Sequence, residues 1–226
     1  MPRTIAVVGA GPGLGLAVAR AFGREGFHVG LIARDAARLA ADVTTLAAEG
    51  VTASAHPADI RDRTALRAAL ERLGPVDVLE FSPGPQGAPI TTAEATTVES
   101  ATAQFELNVL GAIVAADTVL PAMLARGAGT LIFTTGASSI LPIGILGSAG
   151  LAMAALRNWA LSLHEQLASR GVHVGTVTIA TGLAESNLTE VAAQYVAMWR
   201  SATPEHLIGD LDDLRARLAA LTPAGG

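Results

Sequence analysis

Short apolar, β-branched runs alternate with longer Ala/Leu-rich segments along most of this 226-residue chain. The strand-like runs are TIAVV (4–8), HVGLIA (28–33), VTASAH (51–56), VDVLEF (76–81), GTLIFT (129–134) and VHVGTVTI (172–179). Helical spacing fills about 13–24, 35–49, 62–73, 97–125 and 148–169 between them. Such alternation builds βαβ units, in which strands lie parallel, crossovers are right-handed and helices cover both faces. The runs are almost wholly apolar, as strands buried on both faces require. An α/β fold is therefore expected: one domain over 1–226, with a doubly wound parallel sheet of about six strands.

Composition narrows the function. Half of the residues are apolar and 15% are charged, enough for a large packed core. A net charge of −5 speaks against a nucleic-acid surface, which needs clustered positive charge. No apolar run approaches the roughly 18–20 residues of a membrane span. The chain runs from Pro2-Arg3 straight into a strand, so no signal peptide and a cytoplasmic location are expected. Cysteine is absent, which removes disulfides and thiolate chemistry. All 15 basic residues are arginine, and Tyr195 is the only tyrosine. No two histidines stand at i, i+4, and no metal site is expected.

Ligands of doubly wound sheets bind beyond the carboxyl ends of the strands, where the strand order reverses. VVGAGPGLG (7–15) closes the first strand and opens a helix. Gly9, Gly13 and Gly15 allow a tight turn and close approach of a pyrophosphate to the positive helix end, and Gly11 and Leu14 lie in the same turn. The second strand ends LIARDAARL, with Ala33 at the tip and Arg34 next. A carboxylate there would hold the 2′-hydroxyl of NAD, whereas a guanidinium suits a 2′-phosphate. NADP is thus favoured over NAD; the competing role for Arg34 is a solvated ion pair with Asp35 or Asp59.

With these features the chain resembles the short-chain dehydrogenase/reductase family, from residue 3 to about 182, and the resemblance implies a Rossmann-type fold. ADIRD (58–62) fits the acidic element after the third strand, which implies that Asp59 and Ile60 touch adenine. DVLEFSPG (77–84) occupies the family's Asn-Asn-Ala-Gly strand end. Gly84 is kept there, while Phe81 and Ser82 replace the two asparagines. LNVLGAI (107–113) fits the Asn-Val-x-Gly helix through Asn108 and Gly111, and Thr181-Gly182 stands where the family has Pro-Gly beside the nicotinamide.

Family members carry a serine at the end of the fifth strand and Tyr-x-x-x-Lys on the next helix. Aligning GTLIFTTG puts Gly136 at the serine. Aligning AALRNWALSLHEQLASRGVHV puts Ala149 at the tyrosine and Met153 at the lysine. The two anchors agree without a gap, and a chain without lysine offers no other register. Asn108, which supports the lysine in the family, is expected instead to bridge carbonyls at a helix kink. Ser138 and Tyr195 remain as candidate catalytic groups: Ser138 within a hydroxyl cluster with Thr134, Thr135 and Ser139, and Tyr195 within the 183–203 segment expected to lie over the substrate. Packing is the stronger expectation for Tyr195, because a phenol titrates near pH 10 unless a neighbour tunes it. Glu80, in a strand of buried types, has either a raised pKa or, as preferred, a place on the site rim holding a ribose hydroxyl or backbone N–H.

After 182 the resemblance weakens. TPEHLIGDLDDLRARLAAL reads as one helix capped by Thr203 with Pro204 at its first position, leaving no final strand. A missing last strand disfavours a tetramer and leaves a homodimer through the helices near 97–125 and 148–169. Three functions stay open: an NADP(H)-dependent oxidoreductase with a non-standard proton donor; a redox-neutral dehydratase, isomerase or cyclase; and a non-catalytic dinucleotide-binding sensor or partner. The ligand in each is a small molecule.

Overall fold

The computed structural model describes residues 2–84 and 87–221. Seven parallel strands form one sheet in the order β3-β2-β1-β4-β5-β6-β7. They are β1 (Thr4–Val8), β2 (His28–Ala33), β3 (Ala53–Pro57), β4 (Val78–Phe81), β5 (Gly129–Gly136), β6 (Val172–Ile179) and β7 (Glu205–Ile208). The chain builds outward from β1 to β3, then returns to lay β4 on the other side of β1. That reversal leaves the crevice in which such folds hold ligands.

Alternate residues of each strand serve two cores. Ala6, Val8, Leu79, Phe81, Leu131 and Phe133 face one core, covered by α3 (Arg63–Leu73), α4 (Val98–Phe105), α5 (Gly111–Arg126) and α6 (Gly147–Leu167). Ile5, Val7, Val78, Ile132 and Val177 face the other, covered by α1 (Leu14–Arg24), α2 (Ala36–Ala48) and α7 (Leu188–Ser201). Phe27 lies edge-on to both Phe22 and Trp199, with centroids 5.3 and 5.1 Å away. The Arg3 guanidinium stands 4.6 Å above Phe27 and 4.7 Å from Trp199. This cluster seats α7 on α1.

Two expectations change at the C-terminus. The stretch read as one helix divides into β7 and α8 (Leu211–Leu221). Glu205–Ile208 pairs with Thr176–Ile179 of β6, so the sheet has seven strands rather than six. Ile208 turns into the second core while Leu207 is 41% exposed, the period-2 pattern of an edge strand. The real break is Gly209 at φ +101, and Asp210, not Thr203, caps the helix, its Oδ1 accepting from the amides of Asp212 and Asp213. With the last strand present, the ground for preferring a dimer over a tetramer falls away.

Val98–Arg126 is one continuous helix through a π turn at Glu106–Leu110, long and apolar enough by length and composition to cross a membrane, where no such run was expected. Gln104, Glu106 and Asn108 interrupt it, and half of its most apolar window is buried inside the protein. Asn108 marks the π turn, donating to the carbonyl and the side-chain oxygen of Gln104 at 3.1 and 2.9 Å. Gln104 in turn donates to the carbonyls of Ala88 and Pro89. Asn108 thus bonds one backbone carbonyl at an irregular turn rather than bridging several, and it orients the Gln104 amide that holds the loop after β4.

Asp210→Ala is expected to speed amide hydrogen exchange in α8 by about fivefold, the effect of losing one N-cap, while Thr203→Ala leaves it unchanged. Exchange followed by mass spectrometry over 205–221 checks both.

Candidate functional site

The crevice between β1 and β4 is built by backbone contact. Gly9 has φ +90, and a β-carbon on it would lie 2.6 Å from the Ser82 carbonyl oxygen. A β-carbon on Gly15 would lie 2.8 Å from Ala10 Cα. Only glycine fits either place. At Gly11 and Gly13, by contrast, the nearest atoms would be 3.8 and 3.9 Å away. The protein's own packing does not demand glycine there, and the outer surface of the turn stays open to a close ligand. Helix α1 starts beside it at Leu14 with no side chain on its first amides, which leaves its positive end without a side-chain cap.

Gly9, Gly11, Arg34, Asp59, Ile60 and Gly84 line one pocket along the strand tips. Its polar rim is divided among three arginines. Arg38 is bound to Asp42 at 2.6 Å and to the Ala10 carbonyl. Arg61 pairs with Asp59 at 2.9 Å, which holds the Asp59 carboxyl below its usual range. Asp35 caps α2 by accepting from the Arg38 amide. Arg34 is exposed and makes neither a direct ion pair nor a hydrogen bond among the described residues; Asp59, bound to Arg61, feels its charge only at longer range.

The remaining expected cofactor residues lie around this pocket. Gly13 and Leu14 line the neighbouring groove between α1 and α7, Thr181 lines a recess with Asn187 and His206, and exposed Gly182 accepts from the Asn187 side chain through its carbonyl. Ser82 stands against the glycine turn, with its amide on the Val8 carbonyl and its hydroxyl on Glu80.

Glu80 is not on the rim. Its residue is fully buried on the α1/α7 side of the sheet, between Val7 of β1 and Ile132 of β5. Its carboxyl accepts from Ser82 Oγ and Thr134 Oγ1, each at 3.0 Å. Burial outweighs these bonds and raises its pKa to about 7. Thr134 Oγ1 also lies 2.8 Å from the Tyr195 hydroxyl. Tyr195 is likewise fully buried, and desolvation, with the Glu80 charge second, pushes its pKa well up. It packs in the second core and points inward, so in this conformation it presents no proton to the pocket.

Positions 136, 149 and 153 carry no acid or base. A β-carbon on Gly136 would meet Ser138 Oγ at 3.8 Å, Ala149 is buried, and Met153 is half-buried. Ser148 accepts from the Thr91 amide at 3.0 Å, tying the loop after β4 to the start of α6. Of the strand-end hydroxyls, Ser139, Thr135 and Thr178 bond one another, whereas Ser138 Oγ has no hydrogen bond among the described residues. No group of three or more His, Cys, Asp or Glu residues among the described residues could hold a metal ion.

The family model for short chain dehydrogenase matches residues 3–195. The chain belongs to the short-chain dehydrogenase family. It is 27% identical over 183 residues to the ketoacyl reductase HetN of Nostoc sp., covering 77% of this chain but 62% of that protein. It is 30% identical over 215 residues to 2-keto-3-deoxy-L-fuconate dehydrogenase of Xanthomonas campestris pv. campestris, covering 92% of this chain and 69% of that one. A short-chain dehydrogenase structure from Rhodopseudomonas palustris superposes with TM-score 0.82 at 26% identity, over 92% of this chain and 98% of the other.

Within this fold, the Tyr195–Thr134–Glu80–Ser82 chain is what sequence alone did not assemble. Its one local signal is an acid inside the apolar strand VLEF. Its members come from β4, β5, α7 and the end of β4, which only the sheet order brings together.

Glu80 makes folding depend on pH. A carboxyl raised to about 7 in the folded protein binds a proton there more tightly than when unfolded. The stabilisation is therefore full below the unfolded value near 4.5 and is lost as pH rises through about 7. Glu80→Gln is expected to remove a loss on the order of 3 kcal/mol across that window, read as the difference between wild-type and variant urea unfolding curves.

Proposed function

We propose that this short-chain dehydrogenase is an NADP(H)-dependent oxidoreductase acting on a small carbonyl or alcohol without the family's serine–tyrosine–lysine relay. The observation that carries the cofactor choice is the unpaired Arg34 on the rim of the strand-tip pocket, beside arginines already held by acids. A free guanidinium with permanent charge and several donors suits a 2′-phosphate. The open surfaces at Gly11 and Gly13 and the uncapped end of α1 suit a diphosphate. Asp59, Ile60 and Gly84 would border the adenosine half, with Ser82, Thr181 and Gly182 farther along the strand ends.

When bound, the nicotinamide supplies the electrons and hydrogen of the reduction. The chain's own contribution is orientation. Ser138 offers a hydroxyl without a competing hydrogen bond beside Gly136, and Ala149 and Met153 replace the family's proton-handling side chains with an apolar wall. That wall also favours a second reading, a redox-neutral reaction in the same pocket. Two copies paired through α4–α5 and α6 accord with the exposed Val98, Ile113 and Leu151 on those helices.

Fluorescence titration is expected to show tighter binding of NADPH than NADH. Arg34→Ala should weaken NADPH about tenfold or more and leave NADH within about twofold, the effect of losing a charge-assisted contact. Equal loss for both cofactors would reject the 2′-phosphate role. NADPH oxidation with a carbonyl panel, followed by absorbance, separates the two readings: tight binding without turnover favours the redox-neutral one.

A further inference from the structure

The buried chain from Tyr195 to Ser82 has a direction. The Tyr195 hydroxyl has one polar partner among the described residues, Thr134 Oγ1 at 2.8 Å, so its hydrogen is donated there. The single Thr134 hydrogen then goes to Glu80 Oε1 at 3.0 Å, which makes that oxygen a permanent acceptor. A proton on Glu80 has only Oε2 to occupy. From Oε2 it donates to Ser82 Oγ, 3.0 Å away, and Ser82 must turn its own hydrogen elsewhere. When Glu80 is ionised, the Ser82 hydrogen points back at the carboxylate.

Ser82 joins that switch to the crevice, since the next two residues, Pro83 and Gly84, line the strand-tip pocket. It is half-buried, and its carbonyl is the atom against which Gly9 closes the phosphate-side turn. Glu80 pairs with Val7, two residues below Gly9, so its charge lies about 7 Å beneath the turn along the strand. Among the described residues no counter-charge shields it. Tyr195 is the titratable group facing it from α7; Val7 from β1, Ile132 and Thr134 from β5, and the buried face of α1 (Ala17, Val18, Ala19, Phe22) are uncharged.

We propose that Glu80 and Ser82 form a proton-linked part of the ligand site, in which a dinucleotide diphosphate binds together with a proton on Glu80 and meets the outward-turned hydroxyl of Ser82. Ser82 touches the ligand, and Glu80 acts through it as a positioning residue. No covalent bond changes: one proton is taken up from solvent on binding and returned on release. This rests on the dinucleotide reading above. Raised burial cost at Glu80 places the exchange near neutrality.

The test uses NADH, because the 2′-phosphate of NADPH itself titrates near pH 6. The wild-type dissociation constant is expected to weaken roughly tenfold from about pH 6 to about pH 8.5, the effect of one unpaired charge about 10 Å from the diphosphate. Glu80→Gln copies the protonated carboxyl, with its oxygen toward Thr134 and its amide toward Ser82, and should bind as tightly as wild type at low pH with no pH dependence. Ser82→Ala should bind more weakly at low pH. Calorimetry of the wild type in two buffers of different ionisation enthalpy should show uptake of a fraction of a proton near neutrality, and this decides the matter even if a variant fails to fold. Binding with no proton uptake, or a Glu80→Gln profile that keeps the wild-type pH dependence, overturns this proposal alone. No binding of NADH or NADPH at any pH, by wild type or variant, overturns the dinucleotide reading and this proposal with it.

Discussion

A parallel sheet covered on both faces leaves only its strand ends free, and in this protein the tips of β1 and β4 touch through backbone. The Gly9–Ser82 contact has no room for a β-carbon, so the crevice depends on two strands meeting at that level. The glycine turn, the positive end of α1 and the Arg34 rim are all referred to this contact. Moving β4 by one residue would turn Glu80 into the opposite core and take Ser82 away from the turn.

The two cores behave differently beneath the crevice. On the α4–α6 side β1 and β4 offer apolar side chains, Ala6, Val8, Leu79 and Phe81, and Phe133 lies tilted between Phe81 and Trp159. On the α1/α7 side a carboxyl, two hydroxyls and a phenol form one hydrogen-bonded string. A fully buried acid is tolerated because each carboxyl oxygen has a donor and because neutralisation near pH 7 avoids burying a charge. The same string fastens α7 from inside, while the Arg3–Phe27–Trp199 cluster fastens it from outside.

Residues 136, 149 and 153 are glycine, alanine and methionine, and their reading as the relay positions rests on spacing: two anchors with no gap between them and a chain without lysine. The glycine turn was legible because its glycines are local, with a strand before and a helix after. The final strand was not legible. Thr-Pro-Glu is a sound helix opening taken alone, and EHLI becomes a strand only because β6 presents an unpaired edge beside it. Strand pairing between distant segments overrode a local signal.

By itself the sequence determined the alternation of strands and helices and the placing of the glycine turn at the first strand's end. Each of these is carried by neighbours in the chain, through period, turn chemistry and spacing. The tertiary structure decided that Arg34 stays unpaired while Asp35 and Asp59 are taken by others, that Tyr195 is sealed in the core, and that Glu80 shares its carboxyl with residues 2, 54 and, through Thr134, 115 positions away. Hydrogen-bond direction and burial are properties of all the partners at once, and only the folded arrangement supplies them.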